Sequence, residues 1–384
     1  MAERPEYLSE QLITYIGNKR ALLPFLEAAV DFVRARLGKE KLRCLDVFSG
    51  SGIVSRFLKS RSSFLAANDL ELYAQVISRC YLANESELNL PELRALHARI
   101  CAEAERRAAG PPAEFSGFIS ELYAPRDAAD VKAGERCFYT PENARRIDWT
   151  RRLIGELAPE AARPFFIAPL LSQASVHANT AGIFKGFYKN SRTGVGQFGG
   201  NGRNALSRIC GKIVLPFPVF SASSCPTRVF RQEAAALAAS EELYGAVPGG
   251  TLDLAYIDPP YNQHPYGSNY FMLNLIASYE RPSAAEISRV AGIPKGWNRS
   301  AYNKRRSAAA EFRRLVSALR ARFLLVSFNS EGFIRRDEME EILGAFGTVT
   351  VFEAPYNTFR GSRNLRERNI HLREYLFALE KERL

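Results

Sequence analysis

Asp258, Pro259, Pro260 and Tyr261 follow the apolar run Leu252–Ile257, and their side chains suit one piece of chemistry. An amino group attached to a heteroaromatic base is a poor nucleophile because its lone pair is delocalised into the ring. Two hydrogen-bond acceptors that grip it help it become tetrahedral as it attacks an electrophile. The Asp258 carboxylate and the Pro259 carbonyl would be those acceptors, and the Tyr261 ring would stack on the base. The two prolines support neither helix nor continued strand pairing, so the chain must turn there with fixed geometry. In isolation this tetrapeptide is a proline-rich turn. Its weight comes from its place at the carboxyl end of a buried strand, downstream of a second constellation.

That second constellation is Asp46-Val-Phe-Ser-Gly-Ser-Gly52, which joins the run Lys41–Val47 to an apolar helical start at Ile53–Leu58. Gly50 and Gly52 let the backbone approach a ligand closely, and the following helix presents its N-terminus. Many such turns merely connect elements. The spacing differs from the G-x-G-x-x-G that cradles a pyrophosphate, so a nucleoside without phosphates fits better. Asp69 ends the next short apolar run, Ser63–Ala67. There an acidic side chain can accept hydrogen bonds from a ribose diol, or cap a helix beginning at Leu70, and the two roles can coexist.

The elements that must hold these residues alternate. Strands are predicted at Lys41–Val47, Ser63–Ala67, Leu252–Ile257, Phe323–Phe328, Thr348–Ala354 and Tyr375–Leu379, with helices at Leu70–Ala83 and Ala308–Ala321. Such alternation implies an α/β fold with a largely parallel sheet. Far more chain lies between the second strand and Leu252 than a crossover needs, so residues 86–225 are expected to be an inserted subdomain between the halves 1–85 and 226–384. Its first part reads as helical at Pro91–Arg107, Glu142–Leu157 and Pro164–His177. Its second part changes character. From Thr180 to Phe230 there is no acidic residue, whereas Lys185, Lys189, Arg192, Arg203, Arg208, Lys212 and Arg228 are all present. Phe184, Phe187, Tyr188 and Phe198 interleave there with Asn190, Gln197, Asn201 and Asn204, which together could supply phosphate-neutralising charge, stacking faces and base-edge hydrogen bonds. A mobile, solvated basic loop is the plainer alternative. Lys295–Arg306 and Arg360–Arg368 are two more basic segments; the first reads as a disordered loop, the second as a hairpin loop, and either could touch a nucleic acid.

Composition fits this picture without deciding it. The 384 residues are 46% apolar and 24% charged, which argues against wholesale disorder, and the formal charge of +11 attracts polyanions. Six cysteines lie far apart with no C-x-x-C spacing, and no two of the four histidines stand at ligand spacing, so neither a disulfide framework nor a metal site is signalled. The cysteines read as small buried hydrophobes. No apolar segment approaches the roughly 20 residues that span a bilayer, and the expected location is the cytoplasm.

Taken together, the order of motifs resembles the Dam-like class of S-adenosylmethionine-dependent DNA adenine-N6 methyltransferases: a cofactor turn first, a target-recognition region next, DPPY afterwards. Upstream, Tyr15-Ile-Gly-Asn-Lys19 looks like that family's N-terminal cofactor segment. The resemblance implies a Rossmann-like methyltransferase sheet with an inserted, partly helical DNA-recognition subdomain. It implies that Tyr15, Gly17, Lys19, Asp46, Phe48, Ser49, Gly50 and Asp69 bind S-adenosylmethionine. Glu233 follows from the likeness of Arg228–Glu233 to a short strand ending near the cofactor, although an aspartate is more usual there. Asp258, Pro259, Pro260 and Tyr261 would act on a base flipped out of duplex DNA. Lys185, Lys189, Asn190, Arg192, Arg203 and Arg208 would contact that DNA. The chain would work as a monomer, with room for a cognate restriction endonuclease as partner. Cytosine N4 as the acceptor, and a non-catalytic DNA-binding subunit retaining the fold, remain open alternatives. All of this requires the Asp258 carboxylate and the bend at Ser49 to face the same space.

Overall fold

Buried apolar runs become strands where both of their faces are covered by helices. In the computed structural model, which describes residues 3–110, 117–329, 332–357 and 371–383, this applies to β1 (Leu42–Asp46), β2 (Ser62–Asn68) and β4 (Leu252–Ile257). With β3 (Thr227–Phe230), β5 (Ala321–Asn329), β6 (Gly347–Asn357) and β7 (His371–Lys381) they form one seven-stranded sheet in the order β3-β2-β1-β4-β5-β7-β6. Strands β1 to β5 pair in parallel, and β7 lies antiparallel between β5 and β6. The expected α/β class and Rossmann-like sheet are observed.

Side chains alternate across this sheet and divide its core in two. Leu45, Phe64, Ala255 and Leu324 pack on one face with Phe312 and Leu315 of the helix Arg305–Ala318. Cys44, Leu65, Leu254 and Phe323 pack on the other with Val30 and Val33 of the helix Leu23–Leu37 and Phe57 of the helix Ile53–Lys59. Of the cysteines, Cys44, Cys80, Cys137 and Cys225 are buried as expected, Cys101 is half-buried and Cys210 is exposed.

The element boundaries differ from the sequence expectation where tertiary pairing intervenes. The helix predicted to reach Ala321 stops at Ala318, because Ala321 is already paired with Leu252 as the first residue of β5. The helix predicted from Leu70 starts at Leu72, because Asp69 and Glu71 form the turn before it. Strand order reverses between β1 and β4, so the carboxyl ends of these two strands open a crevice, with the bend at Ser49–Gly50 on one side and Asp258 on the other.

Between β2 and β3 the chain builds a second apolar cluster from the helices Leu90–Ala108, Pro141–Leu157 and Pro164–Val176. The helices Leu72–Tyr81 and Phe271–Ser278 pack into the same cluster, with Tyr73, Phe138, Phe166, Leu171 and Phe271 all buried. Asp148 pins it from within, accepting from the Ile119 and Ser120 amides, the Ser120 hydroxyl and the Tyr279 hydroxyl. Among the described residues no helix is long and apolar enough to cross a membrane.

The basic stretch after Thr180 is a set of turns rooted on Asn179, which is fully buried. The Asn179 side-chain amide donates to the Cys137 and Gln197 carbonyls, and its oxygen accepts from the Gly199 amide. One sequence expectation fails here: Phe184 is no stacking face for a base but a core residue against Phe138, 1% exposed. Its apolar bulk has a better partner inside the protein than outside.

Candidate active site

The ends of β1, β2 and β4, the segment Tyr15–Lys19 and the stretch Asn298–Asn303 enclose one cleft. The bend after β1 fits closely under Tyr15. Gly50 has φ +50°, and a Cβ built there would lie 2.7 to 2.9 Å from the Tyr15 ring. The ring in turn is stacked on Tyr270 at 4.9 Å and tilted against Tyr266 at 5.1 Å. Both neighbours also grip the next residue: the Ile16 amide donates to the Tyr270 hydroxyl, and the Tyr266 hydroxyl donates to the Ile16 carbonyl. Gly17 has φ +74°, facing the hydroxyls of Tyr261 and Tyr266.

Asp69 holds the bend from the other side, its oxygens accepting from the Gly50 and Glu71 amides at 2.8 and 2.9 Å. A carboxylate offers about four lone-pair sites, so it retains acceptor capacity toward hydroxyls in the cleft. Phe48 lines the wall edge-on to Tyr302, with ring centroids 5.3 Å apart. Ser49 lies beside Gly50, its amide donating to the Asn68 carbonyl. Glu233 also borders the cleft, where it caps the turn Ala234–Ala238 through the Ala236 amide. Asp46, by contrast, sits one layer beneath the wall. It is fully buried, one oxygen accepts from the Ser55 hydroxyl at 2.5 Å, and the other has no hydrogen-bond partner among the described residues. Burial pushes its carboxyl up to about 7 against the pull of Ser55. The reason is its register on β1: it points inward toward the following helix.

The DPPY segment closes the opposite wall. Asp258 and Pro260 line the cleft and Pro259 is buried behind them. The Asp258 side chain keeps 18% exposure. Lys19 Nζ stands 3.4 Å from Asp258 Oδ1 and 2.6 Å from Glu374 Oε1. The longer contact is an ion pair, and Oδ1 of Asp258, the oxygen that faces Lys19, is buried, so the exposure the side chain keeps lies on its other atoms. Burial pushes the Asp258 carboxyl up to about 6, with Lys19 pulling it down and Glu374 pushing it up. Burial opposes the charged form of Lys19, yet Asp258, Tyr261 and Glu374 together hold it well above the usual lysine range. Tyr261 packs against Phe328 at 5.3 Å, and its hydroxyl accepts from the Asn329 amide at 3.0 Å.

Three features escape a sequence reading. Glu374 carries no motif. Asn298–Asn303 lies in the segment Lys295–Arg306 that reads as a disordered loop, yet its residues form a cleft wall and include a turn of helix at Ala301–Asn303. Asn298 donates to the Leu70 carbonyl and the Glu71 carboxylate, and Asn303 to the Asn262 carbonyl. Lys295 is spent on the Ala285 carbonyl. Glu71 is the third: it also accepts from Asn274, and burial pushes its carboxyl up to about 7. Alternating asparagine and aromatic residues near 298–303 were the one available signal.

Of the expected DNA contacts, Lys185, Lys189, Arg192 and Arg203 are exposed. Arg203 (φ 46°) and Ala205 (φ 53°) adopt the left-handed region that non-glycine residues avoid, the kind of strain that clusters at functional loops. Asn190 turns its side-chain oxygen onto the Arg192 and Thr193 amides. Arg208 is committed to the interior: its guanidinium donates to the Val176, Ala178 and Thr180 carbonyls and closes the end of the helix Pro164–Val176. Arg360–Arg368 lies outside the described residues.

With this geometry in view, comparison with known proteins is specific. The family model for D12 class N6 adenine-specific DNA methyltransferases matches residues 15–192 and 227–342, which contain both constellations. Type II methyltransferase M.NlaIII of Neisseria lactamica is 29% identical over 96% of this chain and 99% of its own. Type II methyltransferase M.CviAII of Paramecium bursaria Chlorella virus 1 is 25% identical over 95% of this chain and 97% of its own. Type II methyltransferase M.FokI of Planomicrobium okeanokoites is 26% identical over 96% of this chain, which spans 52% of that longer protein.

Proposed function

Since the chain belongs to the D12 class of N6 adenine-specific DNA methyltransferases, we propose that it methylates adenine N6 at one sequence in duplex DNA, with the target base extruded into the cleft beside Asp258. The observation that carries this reading is that the Asp258 carboxylate and the Ser49–Gly50 bend line one space. S-adenosylmethionine, when bound, supplies an electrophilic methyl group on a sulfonium sulfur. The residues present suit it: a glycine bend that leaves no room for a side chain, an Asp69 carboxylate with spare acceptor capacity, and the Phe48–Tyr302 pair as an apolar wall for a nucleobase. Tyr15, Gly17 and Glu233 complete that side of the cleft.

On the acceptor side, Asp258 takes one N6 hydrogen in a hydrogen bond and the Pro259 carbonyl takes the other. The amino nitrogen is thereby drawn toward tetrahedral geometry, and the positive charge it develops is met by an anion already in place. Tyr261, oriented by Asn329, stacks on the base and offsets part of the few kcal/mol that unstacking costs. Asp258 must be ionised to act in this way.

The inserted subdomain, residues 86–225, carries the exposed cations Lys185, Lys189, Arg192 and Arg203, with Asn190 shaping the turn among them and Arg208 supporting it from beneath. Removing Lys189, Arg192 or Arg203 singly is expected to weaken DNA binding on all sequences alike and to reduce the slope of log K against log salt by about one. Titrations at several salt concentrations measure this, and an unchanged slope in all three variants would place the DNA elsewhere. The kinship with proteins named type II methyltransferases favours a restriction endonuclease reading the same site; action as a monomer is our reading of one asymmetric cleft serving one flipped base.

Modification mapping of DNA from cells expressing the protein tests the function directly. N6-methyladenine in one sequence motif is the expected outcome. N4-methylcytosine in digested nucleosides, or no mark at all, would overturn it.

A further inference from the structure

We propose that Glu374 is a positioning residue for the acceptor site: it draws the Lys19 ammonium to itself, so that Lys19 does not neutralise Asp258 and the buried cluster keeps a net negative charge beside the base amine. The inference rests on the reading of Asp258 as the group that grips the amine. It concerns a residue beyond the matched segment of the family model, which ends at residue 342.

The geometry is asymmetric. Lys19 is nearly fully buried, its ammonium lies 2.6 Å from Glu374 and 3.4 Å from Asp258, and Glu374 is itself 1% exposed. The Ser327 hydroxyl donates to the same Glu374 oxygen at 3.0 Å, so that oxygen is fixed from two sides. The sheet sets the position: Glu374 pairs with Asn329 at the carboxyl end of β5, and β5 lies beside β4, which ends at Asp258.

A lone cation and a lone carboxylate buried together contract to a tight pair, because in low dielectric their attraction is strong. A tight pair between Lys19 and Asp258 would be neutral overall and would offer the developing positive charge of the amine no net counter-charge. A second carboxylate changes the balance. Two anions share one cation, Lys19 is drawn toward the one it reaches with good alignment, and the cluster retains a net negative charge beside the place where the amine becomes positive. The other titratable groups around Asp258 are Asp46, Tyr256, Tyr261 and Tyr266, none of them a cation, so Lys19 and Glu374 dominate the local field.

The test is the pH dependence of kcat for methyl transfer, since a residue that merely supports the fold would lower kcat without moving its acidic limb. Wild-type activity should fall as pH drops through about 6, where burial has pushed the Asp258 carboxyl. In Glu374→Gln, Lys19 turns fully onto Asp258 and the repulsion from Glu374 is gone, so the limb should move to lower pH while kcat at pH 8 falls about tenfold. Lys19→Met/Glu374→Gln removes cation and anion together and leaves no unpaired buried charge, which protects folding. There the limb should move to higher pH, because Lys19 is the stronger influence on Asp258. A limb that stays at the wild-type position in both variants overturns the inference, and if Glu374→Gln fails to fold the double variant decides it alone. Loss of the limb from the wild type itself would count instead against Asp258 as the acceptor.

Discussion

Asp258→Ala should lower kcat for methyl transfer by about 10³-fold or more, while the affinities for S-adenosylmethionine and DNA change only a few-fold. The magnitude follows from what removing one aligned polar group from a charge-stabilising site typically costs. Binding is spared because the carboxylate acts on the amine only as the amine becomes tetrahedral, which is transition-state rather than ground-state stabilisation. Folding is spared because Lys19 keeps its 2.6 Å contact with Glu374, so no buried charge loses its last partner. Asp258→Asn sharpens the result: an amide oxygen can still accept a hydrogen bond but carries no charge, so its kcat should also be low and should lose the dependence on pH near 6. Single-turnover transfer of label to DNA, with separate equilibrium binding measurements, checks both. Retained turnover in the alanine variant would remove Asp258 from the mechanism.

The parts of this site that a sequence can reveal are those made by local chain geometry. Leu252–Ile257 is apolar at every position but Asp253, which Lys39 and Arg43 pair, because β4 is buried on both faces, and the prolines of Asp258-Pro-Pro-Tyr261 force a turn after it. Gly50 and Asp69 are legible for the same reason: a bend and a strand end each leave a mark within a few residues. Glu374 leaves none, and neither does its pairing with Lys19. They stand 355 positions apart and meet only because β7 inserts antiparallel beside β5, and strand order is not written in hydrophobic periodicity. Residue type alone also misleads about direction. Phe184 and Arg208 have the composition of a nucleic-acid surface, but one side chain goes into the core and the other closes a helix end. Whether an aromatic or a guanidinium faces outward depends on which interior groups lie unsatisfied nearby, in this case a gap beside Phe138 and three carbonyls. The cleft wall at Asn298–Asn303 was obscure for a related reason, since its hydrogen bonds run to Leu70, Glu71 and Asn262, all remote in the chain.

Gly50→Ala is expected to raise the dissociation constant for S-adenosylmethionine by about 30- to 100-fold, roughly 2 to 3 kcal/mol. Two costs combine. A side chain at φ +50° is strained by about 1 kcal/mol or somewhat more. The added methyl also lands 2.7 Å from the Tyr15 hydroxyl oxygen and 2.8 and 2.9 Å from two ring carbons, well inside contact distance. Tyr15 cannot swing away, because Tyr266 and Tyr270 pack on its ring and Tyr73 meets it edge-on. Relief must come either from the bend, which would break the 2.8 Å bond from the Gly50 amide to Asp69, or from lifting the Tyr15 segment off the cleft. Either response disturbs the cofactor side and leaves Asp258 in place, so kcat at saturating S-adenosylmethionine should fall far less than the affinity. Gly17→Ala separates the two costs. Gly17 also has positive φ, but a Cβ there would meet the Tyr261 and Tyr266 hydroxyls at 3.7 Å, an ordinary contact. Only backbone strain applies, and the affinity loss should be about tenfold or less. Equilibrium dialysis of labelled cofactor on both variants measures the difference, and an equal or greater loss in Gly17→Ala would show that the Tyr15 contact is not what shapes the pocket.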